Sequence, residues 1–288
     1  MKRILIAGTG LIGASVGLAL RANGFGGEIL GWDRDSAEAA LALERGALTS
    51  QVSDPLAAAP SCDIIVLALP VLAILDWMER LAPRLRAGQL VTDVGSTKAR
   101  ICERAQALFP RGGATFLPGH PMAGKEVSGA AAADADLFRG AVWLFTPLPG
   151  GGAELAAEWN AWVARFGSRT VDLDPARHDY LCAWASHLPQ MLGTALAASF
   201  EDEFGSSAAA HAELRAVGGR AMREMTRLGA SPYSMWRDIA HTNPEAIAQC
   251  LDTLEQRLAH LRRSLTQPEL KAEFRLAHQF RKRFDPKP

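Results

Sequence analysis

The 288-residue sequence has no surplus of either charge: Lys+Arg and Asp+Glu number 31 each. A protein that gathers nucleic acid or an anionic membrane through its overall field carries a basic excess, so neither partner is expected and any attraction for anions has to be local. The 4 cysteines, Cys62, Cys102, Cys182 and Cys250, are far apart and include no Cys-x-x-Cys pair. That spacing argues against a zinc site or a disulfide framework, and it fits a reducing compartment. No apolar run approaches the ~20 residues that span a bilayer. Residues 1–4 lead straight into an apolar strand, without the apolar core and small-residue cleavage site of a signal peptide. The expected location is therefore the cytoplasm.

What is present is ordinary soluble-protein material, 48% hydrophobic and 22% charged, in a chain long enough for two domains. Residues 3–7 are short, apolar and stopped by glycine, as a buried strand is. A small-residue helix follows from about 14 to 22, then a strand over 28–32 and a helix over 36–45. Strands at 63–69 and 89–94 flank a helix opened by Pro70, and 114–117, 141–145 and 169–173 are expected to extend the same sheet. Strands alternating with helices predict a parallel sheet covered on both faces. After Asp174-Pro175 strand patterns stop, and a helix is expected from 175 to 203 with a kink at Pro189. Leu251, Leu254, Leu258, Leu261 and Leu265 form an amphipathic stripe suited to core or dimer packing. No internal repeat is evident. Gly150-Gly151-Gly152 reads as a turn, and the tail from Arg281 as frayed.

Gly8-Thr9-Gly10-Leu11-Ile12-Gly13 lies between the first strand and its helix, and Asp33, 33 − 13 = 20 residues beyond the last glycine, ends the second strand. That combination is a dinucleotide fingerprint: a tight turn at Gly8, close backbone approach at Gly10, close helix packing at Gly13, and a carboxylate for the ribose hydroxyls. The helix N-terminus at Leu11 and Ile12 offers amide donors to the phosphates. Asp33 would repel a 2′-phosphate, which favours NAD, while the neighbouring Arg34 is the argument for NADP. Leu69, Pro70 and Gly95, at the ends of later strands, complete the expected cofactor set. The fold class is thus α/β: a Rossmann-type parallel sheet over 1–173, then an all-helical domain over 174–288.

Ligands in an open α/β sheet bind beyond the carboxyl ends of the strands. His120, within Gly119-His120-Pro121-Met122-Ala123-Gly124, lies just past one strand, and Ser96, within Gly95-Ser96-Thr97-Lys98, just past another. An imidazole there can take a proton near neutral pH, although a histidine after a strand is often only a satisfied polar group. Ser96 suits helix N-capping equally well.

Asp93-x-Gly-Ser-x-Lys98, the 119–124 segment, Ser186-His187-Leu188-Pro189-Gln190, Met225-Thr226-Arg227, Ser231-Pro232 and Met235-Trp236-Arg237-Asp238-Ile239 occur in this order across nearly the whole chain. In them the sequence resembles the prephenate/arogenate dehydrogenase family. The resemblance implies a nucleotide-binding domain joined to a helical domain that binds substrate and forms a homodimer. It also implies oxidative decarboxylation of prephenate or arogenate on the way to tyrosine, with no fused chorismate mutase segment and no regulatory extension. By resemblance, His120 meets the ring hydroxyl being oxidised and Ser96 bonds the same region. Arg227 holds a substrate carboxylate, and Ser231 and Trp236 line the pocket. His187, Gln190, Lys125 and Glu126 are further substrate-side candidates. Gln190 stands where many relatives have histidine, and Lys125 where Thr or Asn is usual.

Two carboxylates on such a substrate require fixed positive charge. Arg220, Arg223 and Arg227 share a helical face at i, i+3 and i+7; the first two read as solvated charge, and Arg227 is set apart by its motif. His187 and Gln190 are neighbours beside Pro189, where a core histidine and a substrate ligand are equally good readings. The expected chemistry is proton removal by neutral His120 with oxidation by NAD, then loss of carbon dioxide driven by aromatisation, needing no metal. A 3-hydroxyacid dehydrogenase would need a catalytic lysine in the helical half, which has only Lys271, Lys282 and Lys287, all near its end. A nucleotide sensor without catalysis is the rival from outside enzymology.

Overall fold

The computed structural model describes residues 1–149 and 154–284. Six strands form a parallel sheet: β1 (Arg3–Ala7), β2 (Glu28–Trp32), β3 (Ser50–Gln51), β4 (Ile64–Leu67), β5 (Leu90–Asp93) and β6 (Thr115–Leu117). Their order is β3-β2-β1-β4-β5-β6, so the direction of winding reverses between β1 and β4, where a dinucleotide crevice opens at the carboxyl ends. The accompanying helices are α1 (Leu11–Ala22), α2 (Ser36–Glu44), α3 (Pro55–Ala58), α4 (Val71–Leu81), α5 (Ala99–Leu108) and α6 (Glu154–Arg165). Alternate residues of a strand face opposite ways. Ile4, Ile6, Ile64 and Val66 accordingly share a core with Val16 and Leu20 of α1. Leu5, Ala7, Ile65 and Leu67 share another with Ile74 and Met78 of α4 and Ile101 of α5. Helices cover both faces.

The sheet is shorter than the sequence led us to expect. Residues 119–121 (β7, Gly119–Pro121), β8 (Val142–Phe145) and β9 (Arg169–Asp172) make a separate three-stranded sheet in the order β7-β8-β9. Its β7–β8 pair is antiparallel and its β8–β9 pair parallel. Pro118, just after β6, has no N–H for a ladder, and the Gly119 amide is claimed by the Asp93 carboxylate at 3.2 Å. The chain therefore leaves the first sheet at that point. His120 consequently lies within a strand, opposite Leu144.

Beyond β9 every element is helical among the described residues: α7 (Pro175–Cys182), α8 (Leu188–Phe204), α9 (Ala208–Val217), α10 (Arg220–Thr226), α11 (Tyr233–Thr242), α12 (Pro244–Arg263) and α13 (Glu269–Phe284). The long helix expected from 175 is α7 and α8 joined by a π-helical turn at Ala183–His187. Pro189 lacks the N–H for the carbonyl four residues back, and the turn before it widens. One compact unit spans Met1–Pro244 and a second begins at Glu245. In the second, Arg257 of α12 pairs with Glu273 of α13 at 2.8 Å. Arg281, Lys282 and Arg283 are helical rather than frayed, while 285–288 and the turn read at 150–152 lie outside the described residues. No helix among the described residues is long and apolar enough to cross a membrane.

Candidate active site

The loop after β1 has the shape of a phosphate cradle. Gly8 has φ 90° and donates its amide to the Trp32 carbonyl at 2.8 Å. A Cβ there would strike the Ala68 carbonyl and press on Leu69, next to Pro70, the residue before α4. A Cβ at Gly13 would overlap the Gly8 carbonyl, whereas one at Gly10 would meet nothing within 4 Å among the described residues beyond its own chain neighbours. Gly13 is thus fixed by packing, and Gly10 leaves open space that a ligand could use. The N-terminus of α1, with Leu11 and Ile12, has no side-chain cap and no acid in its first turn, so its amides and dipole remain available to an anion. Asp33 is locked by the Thr9 amide at 2.7 Å and the Asp35 amide at 3.0 Å. The Thr9 hydroxyl is buried with no partner among the described residues. Arg34 is exposed. An orphaned hydroxyl, free helix amides and a fixed carboxylate suit a dinucleotide.

The loop after β5 is built by a buried ion pair. Lys98, fully buried, donates from Nζ to Asp93 at 2.6 Å and to the Gly95 and Thr97 carbonyls at 2.9 and 3.1 Å. The same Asp93 carboxylate accepts from the Gly95 amide at 2.8 Å and, as noted, from Gly119, next to His120. One side chain therefore joins the Ser96 loop to β7. Ser96 itself is half-buried and does not cap α5. That task falls to Asp179 of α7, which accepts from the Lys98 and Ala99 amides at 2.6 and 2.9 Å.

Asp179 also orients a pair of histidines. His178 Nδ1 is 2.8 Å from Asp179 Oδ1, and His178 Nε2 is 2.9 Å from His120 Nδ1. Burial, then the neighbouring His178 and Lys98, hold the His120 pKa well below its usual value. Burial outweighs the Asp179 hydrogen bond and lowers that of His178 as well. Both rings are therefore neutral, and the tautomers follow. A carboxylate only accepts, so His178 Nδ1 donates to it. His178 Nε2 must then accept from His120 Nδ1, which leaves the lone pair of His120 on Nε2. That nitrogen has no protein partner among the described residues, and a base in this tautomer can receive a substrate proton.

The helical segment supplies the remaining groups. Arg220 and Arg223 lie within α10, which ends at Thr226, and Arg227 is its C-cap and opens a 3-10 turn. It pairs with Glu126. Arg220 and Arg223 are exposed; the former pairs with Glu224 at 3.4 Å. Gln190 is buried and donates to the Leu228 carbonyl at 2.7 Å, so it holds the Arg227 turn in place, and Ser231 ends that turn. Lys125 is tied to the Ala132 carbonyl at 2.9 Å and to Asp134 at 3.4 Å. His187, whose pKa burial lowers to about 4, stands edge-on to Trp236 with ring centroids 5.9 Å apart. The Asn243 amide reaches His187 Nδ1 at 3.4 Å, which puts the proton on Nε2. His187 Nε2 and Trp236 Nε1 are both buried without partners among the described residues.

His178, Asp179 and Asn243 belong to none of the motifs in the sequence, and Asp93, Lys98 and Asp238 stand out there only as parts of motifs. Asp238 is 3.3 Å from the Leu72 amide at the start of α4, tying α11 to the first sheet's helices. The available signal was His178 with Cys182 at i+4, which places both on one face of α7. The spread of the cysteines pointed away from metal, yet His120, His178 and Cys182 converge within 4.8 Å of one another.

Residues 16–171 match the family described as prephenate dehydrogenase, nucleotide-binding domain, and 174–281 the prephenate dehydrogenase, dimerization domain. The prephenate dehydrogenase of Lactococcus lactis subsp. cremoris is 32% identical over 273 residues, 94% of this chain and 73% of its own. The crystal structure of the Aquifex aeolicus prephenate dehydrogenase with hydroxyphenyl propionate and NAD+ superposes with a TM-score of 0.87 at 26% identity, covering 99% of each chain. That of Synechocystis arogenate dehydrogenase gives 0.78 at 29% identity, covering 98% of this chain and 99% of the other.

Proposed function

The chain belongs to the prephenate dehydrogenase family, and from that premise we propose the roles its residues take. It is an NAD-dependent oxidoreductase that converts prephenate to 4-hydroxyphenylpyruvate by oxidative decarboxylation. Gly8, Gly10, Gly13, Asp33 and the amides of Leu11 and Ile12 hold NAD, with Leu69, Pro70 and Gly95 beside it. Bound there, NAD supplies the two-electron acceptor.

His120 is the general base, and the chain from His120 through His178 to Asp179 is the observation that carries this reading. The depressed pKa keeps Nε2 free at neutral pH but makes it a weak base. The Asp179 carboxylate behind His178 compensates by stabilising the ring once it has taken the proton of the ring hydroxyl. With the ring carbon oxidised to a ketone, the ring carboxylate leaves as carbon dioxide and its electron pair aromatises the ring. Ser96 hydrogen-bonds the same oxygen region. Arg227 meets a substrate carboxylate in place of Glu126, its planar fork suiting two oxygens. Each unpartnered buried donor costs about 1–3 kcal/mol, so substrate oxygens at His187 and Trp236 relieve a penalty present without ligand. Gln190, Ser231 and Lys125 support the surrounding loops.

Arogenate is the second reading, with its ammonium at Glu126. Glu126 pairs with Arg227 and becomes free for that ammonium only once a substrate carboxylate has displaced it. Incubating the protein with prephenate or arogenate and either NAD or NADP tests both points. Faster nicotinamide reduction with prephenate and NAD is expected; measurable NAD binding without reduction on either substrate would leave a nucleotide sensor instead.

The nucleotide-binding domain ends near 173, and the helical domain from 174 binds substrate and pairs two copies of the chain. Supporting the homodimer, Leu258, Leu265, Phe274, Phe280 and Phe284 are all at least half exposed, more apolar surface than a lone domain usually shows. Light scattering should give a dimer mass; a monomer at micromolar concentration would overturn it. The balanced charge supports work in the cytoplasm without nucleic acid or membrane.

A further inference from the structure

The mechanism uses two members of a three-residue cluster. Cys182 Sγ lies 3.6 Å from His178 Nε2 and 3.8 Å from His120 Nδ1, and the two nitrogens are 2.9 Å apart. Nitrogen at 2.0–2.1 Å and sulfur at 2.3 Å from a tetrahedral zinc are separated by roughly 3.3–3.6 Å, close to this triangle. A second observation points the same way. A metal-bound imidazole commonly gives its other N–H to a carboxylate, and His178 does so to Asp179 at 2.8 Å.

We propose that His120, His178 and Cys182 form an inhibitory site for a thiophilic divalent ion, zinc above all, which stops turnover by reversing the tautomer of His120.

The ion replaces the hydrogen bond between the rings. His178 Nε2 gives its existing lone pair. Cys182 loses its thiol proton to solvent and binds as thiolate. The proton on His120 moves from Nδ1 to Nε2, which frees Nδ1 as the third ligand and leaves the ring neutral. Water fills the fourth position. Nε2 then carries a hydrogen and has no lone pair for the substrate. A bound ion removes the thiol proton outright. Asp179 offsets the charge of the ion–thiolate pair, while the nearby Lys98 ammonium is already paired with Asp93 at 2.6 Å.

The site itself stands on geometry; its inhibitory effect rests on His120 being the base, and the experiment separates the two. The whole protein is incubated with cobalt(II) or zinc(II), because the ligands are buried, and then assayed with prephenate and NAD. Cobalt is expected to show a near-ultraviolet thiolate charge-transfer band. Zinc is expected to lower kcat and leave the KM for prephenate unchanged. Cys182→Ser should keep metal-free turnover, lose the cobalt band and need roughly 10- to 100-fold more zinc for the same inhibition; Cys182→Ala serves if the serine variant folds poorly. No cobalt band in the wild-type protein, or equal zinc sensitivity in wild type and variant, overturns the site. A band without loss of kcat overturns the inhibition and, with it, the role of His120.

Discussion

His178 stands 2.9 Å from His120, Nε2 to Nδ1, with the Asp179 carboxylate on its far side. The two rings come from β7 and α7, 58 residues apart in sequence. Their hydrogen bond fixes which nitrogen of His120 is basic.

If that chain sets the tautomer, Asp179→Asn should lower kcat by ~10²–10³-fold with little change in KM. Stability should fall too, because Asp179 caps α5. A purely structural role would lower the melting temperature and leave the acid limb of the kcat profile where it was; a shifted limb is the expected result.

His120→Asn should fold, bind NAD and bind prephenate, and turn over ~10²–10⁴-fold more slowly. Wild-type turnover in that variant removes His120 from the proton transfer.

The acid limb of activity should lie well below pH 6.5, since burial disfavours protonated His120. Stability follows the same sign. Above pH 6.5 His187 is neutral in both folded and unfolded chains. As pH falls from 6.5 toward about 4, the unfolded chain takes up a proton that the fold refuses, and stability drops by up to ~1.4 kcal/mol per pH unit. Urea unfolding at pH 7 and pH 5 should show that loss, and His187→Gln should reduce it.

Gly10→Ala and Gly13→Ala should part company. The first adds a methyl with nothing within 4 Å among the described residues beyond its own chain neighbours, so stability holds while the KM for NAD rises. The second drives a methyl into the Gly8 carbonyl, and soluble folded protein should be largely lost. Thermal melts with and without NAD distinguish them.

Arg227→Ala should raise the KM for prephenate about 10- to 100-fold, the worth of a charged hydrogen bond of roughly 1.5–3 kcal/mol, with kcat less affected. An unchanged KM would count against the carboxylate role.

Much of this was legible in the chain itself. The alternation of β1 and β4, Gly8, Gly10 and Gly13 with Asp33, and the motifs at 93–98 and 119–124 depend on neighbours within about 20 residues, where periodicity and turn chemistry act. The split into two sheets was not legible, because Pro118 breaks a ladder only once the Asp93 carboxylate has taken the next amide. Nor was the loss of Ser96 as a cap, since the carboxylate that caps α5 comes from Asp179, 80 residues away along the chain.

The sequence by itself determined a glycine turn after the first strand, an acid at the end of the second and the motif order of an NAD-linked dehydrogenase family, because each is written in local geometry and spacing along the chain. The tertiary structure alone decided what state His120 is in. Its low pKa, its tautomer and its neighbours His178 and Cys182 arise from burial and from the meeting of β7 with α7. A proton's position depends on distances of a few ångströms, and only the folded chain sets those.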